Sequence, residues 1–306
     1  KLAKKGENKL AKDIYSHILK NFPNNQIAKK EINLLGKDIH PTQVQLDEVM
    51  RFYATGDIKN ALDYVESLIK DYPNESLLFN ICGACHSEIG SIEPAIENFK
   101  KAIALKINYS EAQFNLGVAF QKLNQLDNAS EYYLQAIHSQ HAYPSAHNNL
   151  GIIFLNKGKI EAAVKSFEWA IAYSPNYAEA YNNLGSALQE LKQFKNAKKQ
   201  FEKACSINPN YAQAFHNLGI LSEITNQPKE AVSQYERAVE IEPEFAEAYR
   251  NLSKVKKFKV KDPQINQIYL LYSGNKLNVA DKARLGFALA DINKSLGNHE
   301  DYIKYL

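Results

Sequence analysis

Two cysteines three residues apart, Cys82 and Cys85, are the first residues in this chain whose types and spacing could do chemistry. Such a pair can serve as a redox couple or as half of a zinc site. A zinc site would need further thiolate or imidazole ligands at matching spacing, and neither a second Cys-x-x-Cys nor a His-x-x-x-His follows. Cys82 stands where leucine recurs elsewhere, and Cys85 lies along the same apolar helix face. Core packing is therefore expected for both, and for Cys205. His86, His138, His141, His147 and His216 are scattered singly, with no partner at a fixed spacing to make a nucleophile, base or ligand set. No glycine-rich phosphate loop follows a strand pattern. The expectation is a chain that is not an enzyme and needs no metal or cofactor.

Asparagine is the informative polar residue. Asn115, Asn149, Asn183, Asn217 and Asn251 are each 34 residues apart, and Asn80, Asn148 and Asn182 sit one position earlier in their own units. Asparagine is a poor mid-helix residue, so its recurrence needs a cause. One cause is structural, with the amide bonding to neighbouring backbone or across units. The other is functional: an amide offers both donor and acceptor, and a row of them can grip the backbone of a bound extended chain. The second reading makes these eight asparagines the candidate peptide-binding groove, to which the family resemblance described below adds Ser186 and Gln189. Ser87, Gln121, His216 and Glu223 are assigned to the same inner face by the family resemblance described below.

These residues are positioned by a repeat. Glycine recurs at Gly83, Gly117, Gly151, Gly185 and Gly219, always 34 residues on. In register stand the alanine columns Ala95 to Ala231 and Ala102 to Ala238, with the bulky Phe99, Tyr133, Phe167, Phe201 and Tyr235 between them. Within a unit such as 178–211, apolar residues recur at helical spacing in two stretches, with a polar break near Leu191 to Phe194. That pattern predicts an antiparallel helical hairpin, closed tightly where glycine and alanine face bulky partners. Pro175, Pro209 and Pro243 should stop the second helices, leaving the units that end at Ile107 and His141 less sharply terminated. Tyr109, Tyr143, Tyr177, Tyr211 and Phe245 precede the first helices as hydrophobic staples. Thr42 with Gln45, and Ser110 with Gln113, have capping-box spacing. Pro94 and Pro228 suit the first turn of a helix.

The Leu-Gly pair, the two alanines and the closing proline closely resemble the tetratricopeptide repeat family. The resemblance implies an all-α fold, a right-handed superhelical solenoid of antiparallel helix pairs. It covers five units over 76–245 and a divergent one over 42–75 that keeps Gly56, Ala61 and Pro73 but has Val49 in place of glycine. Divergent helices are expected over 1–41, a basic capping helix over 246–262, and a helical hairpin over 263–306 that leads towards a further domain. The asparagine ladder is similar to that of O-GlcNAc transferase arrays. No lysine and arginine clamp of the kind used by chaperone-binding members is seen in the five units.

Short motifs carry a second resemblance: Tyr72-Pro73-Asn74-Glu75, Leu78 to Cys85, Asn251 to Asp262 and Leu285 to Leu306 look like bacterial proteins in which such an array precedes a sulfotransferase domain. It implies a substrate-recognition array whose catalytic domain lies outside this chain. A self-assembling scaffold is a further alternative. The main expectation is a scaffold that binds an extended peptide or partner protein.

Composition limits the rest. A net charge of +3 over 306 residues is too mild to suggest a nucleic-acid surface. The one dense basic run, with Arg250, Lys254 and Lys257 as the candidate patch, reads as a solvated face or as a contact for an anionic ligand. Three cysteines are too few for a disulfide framework, which suggests a reducing, cytoplasmic setting. No apolar run reaches the roughly eighteen residues needed to span a bilayer.

Overall fold

A computed structural model describes residues 8–35 and 40–305 of the chain. Among the described residues are eighteen α-helices and no strand. They fall into two compact units, Lys1–His141 and Ala142–Leu306. The first contains α1 (Asn8–Asn21), α2 (Gln26–Leu35), α3 (Gln43–Ala54), α4 (Ile58–Asp71), α5 (Ser76–Glu88), α6 (Ile92–Leu105), α7 (Ser110–Lys122) and α8 (Leu126–Ser139). The second contains α9 (Pro144–Asn156), α10 (Ile160–Tyr173), α11 (Ala178–Glu190), α12 (Phe194–Ile207), α13 (Ala212–Ile224), α14 (Pro228–Ile241), α15 (Ala246–Val255), α16 (Pro263–Ser273), α17 (Val279–Leu296) and α18 (His299–Lys304).

Each regular repeat is a hairpin of a 13-residue first helix and a 14-residue second helix. The expected columns meet inside it. A Cβ built on Gly185 would lie 2.6 Å from Phe201 Cε1, and one on Gly219 would lie 2.4 Å from Tyr235 Cε1. Glycine therefore does more than thin one helix, because the aromatic ring of the second helix lies directly on its bare backbone. Ala163, Phe167, Ala197 and Phe201 are all fully buried in consequence. The link between the two helices turns through a left-handed residue in every repeat: Gly56, Gly90, Asn124, Gly158, Lys192 and Asn226. Glycine adopts that conformation without a Cβ clash and asparagine tolerates it, but Lys192, at φ 59°, has neither advantage.

Proline does not set the helix ends. The second helices α6 and α8, whose repeats lack the closing proline, stop at the same register as those that have it. The register of the second helix is the same whether or not proline follows. The Thr42 and Gln45 capping box forms, but the Ser110 box does not. Ser110 is already inside α7, behind an N-cap supplied by Tyr109, and its hydroxyl donates instead to Gln140 Oε1 at 2.9 Å. The tyrosine column thus occupies the cap itself rather than the residue before it. Pro94 and Pro228 do lie in first turns.

The basic capping helix expected over 246–262 is shorter than anticipated: α15 ends at Val255 and the remainder is irregular. Ser253 stands where the five regular repeats have glycine. Tyr249 and Leu252 of α15 share a core with Leu285, Leu289 and Ile292 of α17, so the 18-residue α17 covers the face that a second helix would normally cover. The expected break at Gly297 is present as a left-handed cap, φ 79°. The short α18 beyond it buries none of its residues.

Candidate peptide groove

The asparagine ladder forms, as a set of bonds between successive first helices. The Nδ2 of Asn115 donates to Asn80 Oδ1 at 3.1 Å, Asn183 to Asn148 at 3.0 Å, and Asn217 to Asn182 at 2.8 Å. Asn251 continues the series by meeting His216 Nε2 at 3.0 Å. In two units the earlier asparagine also donates forward, Asn80 to Glu111 and Asn148 to Glu179, both at 3.0 Å. Burial pushes the Tyr109 hydroxyl up to about 12, the Glu111 charge adds to the rise, and a hydrogen bond with Asn80 partly offsets it. Buried amides satisfied at both ends fix the stacking of one hairpin on the next.

That arrangement engages three residues of the expected groove inside the protein. Asn80, Asn148 and Asn182 are 2%, 0% and 4% exposed and lie between first helices, their amides engaged by neighbouring side chains, although Asn80 still forms part of the wall of the cleft described below. The later column behaves differently. Asn115, Asn183, Asn217 and Asn251 are half-buried. Among the described residues, the side-chain oxygens of Asn115 and Asn183 accept no hydrogen bond, whereas Asn217 accepts from Gln213 at 3.1 Å and Asn251 from Lys254 at 3.2 Å. Asn149 shares the column and has a polar or ring contact of its own. Ser186 bonds back to the Asn182 carbonyl at 3.2 Å, and the side chain of half-buried Gln189 has no hydrogen-bond partner among the described residues.

Gln189 is left open by the identity of the residue below it. Where the aromatic on the second helix is tyrosine, the residue above it accepts the hydroxyl: Tyr133 donates to Gln121 at 2.7 Å, and Tyr235 donates to Glu223. Phe201 has no hydroxyl, so Gln189 has nothing to accept there. Two inner-face residues, Gln121 and Glu223, thus serve the core. The tyrosine or phenylalanine alternation in the sequence was the available signal.

Among the first helices of the N-terminal unit lies an open cleft of about 430 Å³. Met50 and Tyr53 from α3 face Leu77, Ile81 and Ala84 from α5, with Glu111 and Asn115 of α7 supplying the polar wall. Met50 is half exposed. The lining combines apolar side chains with a few convergent polar groups, which suits one side chain of a guest polypeptide and its adjacent backbone. Burial raises Tyr53, with Glu88 and Cys85 adding to the effect, so its hydroxyl is a hydrogen-bond donor at neutral pH.

The basic run is occupied by internal contacts at Arg250 and at Lys256. Arg250 pairs with Asp291. Lys256 lies 2.8 Å from Asp262 and 2.9 Å from Glu236 and donates to Gln264 at 2.6 Å. Burial alone would lower the Lys256 amine, but these carboxylates outweigh it and raise it. Lys254 and Lys257 remain exposed. They line an open cleft with Lys294, beside the acidic Asp291.

The fold defines a protein built of repeated helical hairpins. Family models described as TPR repeat match residues 87–124 and 153–192, and models described as tetratricopeptide repeat match 110–139, 178–211 and 201–233. These matched stretches carry tetratricopeptide repeats. A peroxisomal targeting signal receptor of Saccharomyces cerevisiae is 33% identical over 107 residues, 35% of this chain and 16% of the receptor. The counterpart from Kluyveromyces lactis is 31% identical over 77 residues, 25% of this chain and 14% of the receptor. The matched stretch thus spans about a sixth of these relatives or less. Among solved structures, PilW, a type IV pilus biogenesis factor, superposes with a TM-score of 0.60 at 19% identity over 70% of this chain and 99% of its own. Cut9 in complex with Hcn1 superposes at 0.62 with 18% identity, over 83% of this chain and 47% of the other. These two share the fold. The resemblance to sulfotransferase-linked arrays finds no support in these matches.

Proposed function

We propose that this chain is a protein-interaction scaffold that holds an extended polypeptide along its first helices, with the cleft between α3, α5 and α7 as a principal contact. The observation that carries this reading is the pairing of an apolar lining, Met50, Leu77, Ile81 and Ala84, with an Asn115 carbonyl that accepts no hydrogen bond among the described residues. Exposed apolar surface next to an unused acceptor fits an amide N–H and a neighbouring apolar side chain. The name of the receptor relatives, which bind a targeting signal, supports the same class of partner.

A photo-activated benzophenone side chain placed at position 84 should yield polypeptide adducts on illumination in cells. The same group at Leu134, half exposed on α8, should not. An identical adduct pattern at both positions would show that the cleft has no special role.

A further inference from the structure

The junction between α4 and α5 departs from its counterparts at three places at once. Elsewhere in the array the Cys82 column is leucine: Leu116, Leu150, Leu184, Leu218 and Leu252. The His86 column carries Phe120, Phe154 and Leu188, then Ser222 and Lys256. The residue on the preceding second helix that meets this column varies in the same way. At one junction Lys100 lies over the Phe120 ring, and at another Lys256 pairs with Glu236 at 2.9 Å. Here the three are Cys82, His86 and Glu66, and a ligand atom from each lies within 4.8 Å of the others. His86 Nε2 is 3.9 Å from Glu66 Oε1. The same imidazole supplies a buried atom without a hydrogen-bond partner, Nδ1. The Tyr249 hydroxyl is the other such side-chain atom among the described residues. Packing alone would not explain a buried imidazole nitrogen left unsatisfied beside a thiol and a carboxylate.

We propose that Glu66, Cys82 and His86 bind one thiophilic divalent cation of the Zn²⁺ class, fastening the divergent repeat to the first regular one. Sulfur, imidazole nitrogen and a single carboxylate oxygen are the donors such an ion takes in a tetrahedral site. Cys82 and His86 are one turn apart on α5 and Glu66 reaches across from α4, so the ion joins two hairpins that otherwise meet through side-chain packing. Bond lengths of about 2.0 to 2.3 Å place two ligands of one ion up to about 4 Å apart. Side-chain rotation then suffices to close the present spacing. Glu66 is 51% exposed, which leaves the fourth position to water. Binding replaces the Cys82 thiol proton, which leaves to solvent. Burial first, then the Glu66 charge and Cys85, hold that thiol up at about 12, with Lys101 opposing. The carboxylate that disfavours the bare thiolate is thus one the cation would neutralise.

The test is a Co²⁺ titration of the full chain, read by absorbance. One equivalent should produce visible d–d bands of a tetrahedral ion and a near-ultraviolet thiolate-to-cobalt band, both displaced by Zn²⁺. Cys82→Leu and His86→Phe install residues that the same columns carry in other repeats, so both variants should stay folded by circular dichroism and lose the bands. Cys85→Ala and Cys205→Ala should keep them. Absence of the thiolate band in the parent chain would overturn the proposal. So would its survival in either Cys82→Leu or His86→Phe, or its loss in Cys205→Ala.

Discussion

Residues 178–207 and residues 246–304 begin alike and end differently. Both open with a first helix bearing alanine, an aromatic and asparagine in the same register, Tyr181 and Asn183 in one, Tyr249 and Asn251 in the other. In the first, Gly185 lets Phe201 lie on the backbone and the hairpin closes on itself. In the second, Ser253 replaces the glycine, the irregular segment after Val255 breaks the pattern, and the distant α17 closes the core. The Tyr249 hydroxyl is left buried without a partner there, whereas the hydroxyls of Tyr133 and Tyr235 in regular repeats are satisfied. A repeat can satisfy its polar groups by periodic pairing, but an end must improvise with whatever segment covers it.

Stability measurements can break or sharpen that contrast. Gly185→Val drives two methyl groups into the Phe201 ring and should cost about 3 kcal/mol in urea unfolding. Ser253→Gly, at the matching position of the C-terminal end, should shift stability by less than about 1 kcal/mol. Equal effects would mean that glycine is not the device that closes the hairpin. Asn148→Ala removes a fully buried amide bonded to Glu179 and Asn183, and should cost about 2 kcal/mol by the same measurement.

A smaller, pH-dependent effect is expected from His216, which burial holds below its ordinary value of 6.5 while Glu247 partly opposes. The folded chain keeps the neutral imidazole, and the unfolded chain takes up a proton first as pH falls. The contribution of His216 is therefore complete above 6.5 and is lost as pH drops below it. His216→Asn installs the residue that Asn148 and Asn182 provide in other repeats, and it should flatten this part of the stability curve against pH. Smallest of all, Lys192→Gly should raise the unfolding midpoint by relieving the left-handed conformation, a gain of under about 1 kcal/mol after the entropy of the unfolded glycine is subtracted.

The helix pairs, their register and their core columns were legible because each residue type is repeated at the same place five times. The C-terminal arrangement was not, since the partnership of α15 with α17 rests on contacts between segments that share no period. The groove was legible only in part. Two adjacent asparagine columns look equivalent in sequence, yet one points between helices and the other is half exposed, a difference of one helical step. Glu66 was invisible as a partner of Cys82 because it lies on the previous repeat, sixteen residues upstream.

The most direct test of the central claim is peptide binding at the α3, α5 and α7 cleft. Random extended peptides displayed on phage are selected against the full chain, and an enriched peptide is titrated by fluorescence anisotropy into the parent and into Ala84→Lys. Lysine already occupies the matching position in a later repeat, at Lys254, so the substitution should fill the cleft without unfolding the hairpin. The account predicts a weakening of about tenfold or more, equivalent to about 1.4 kcal/mol. Equal affinity for the two proteins, or failure of any peptide to enrich, would contradict it.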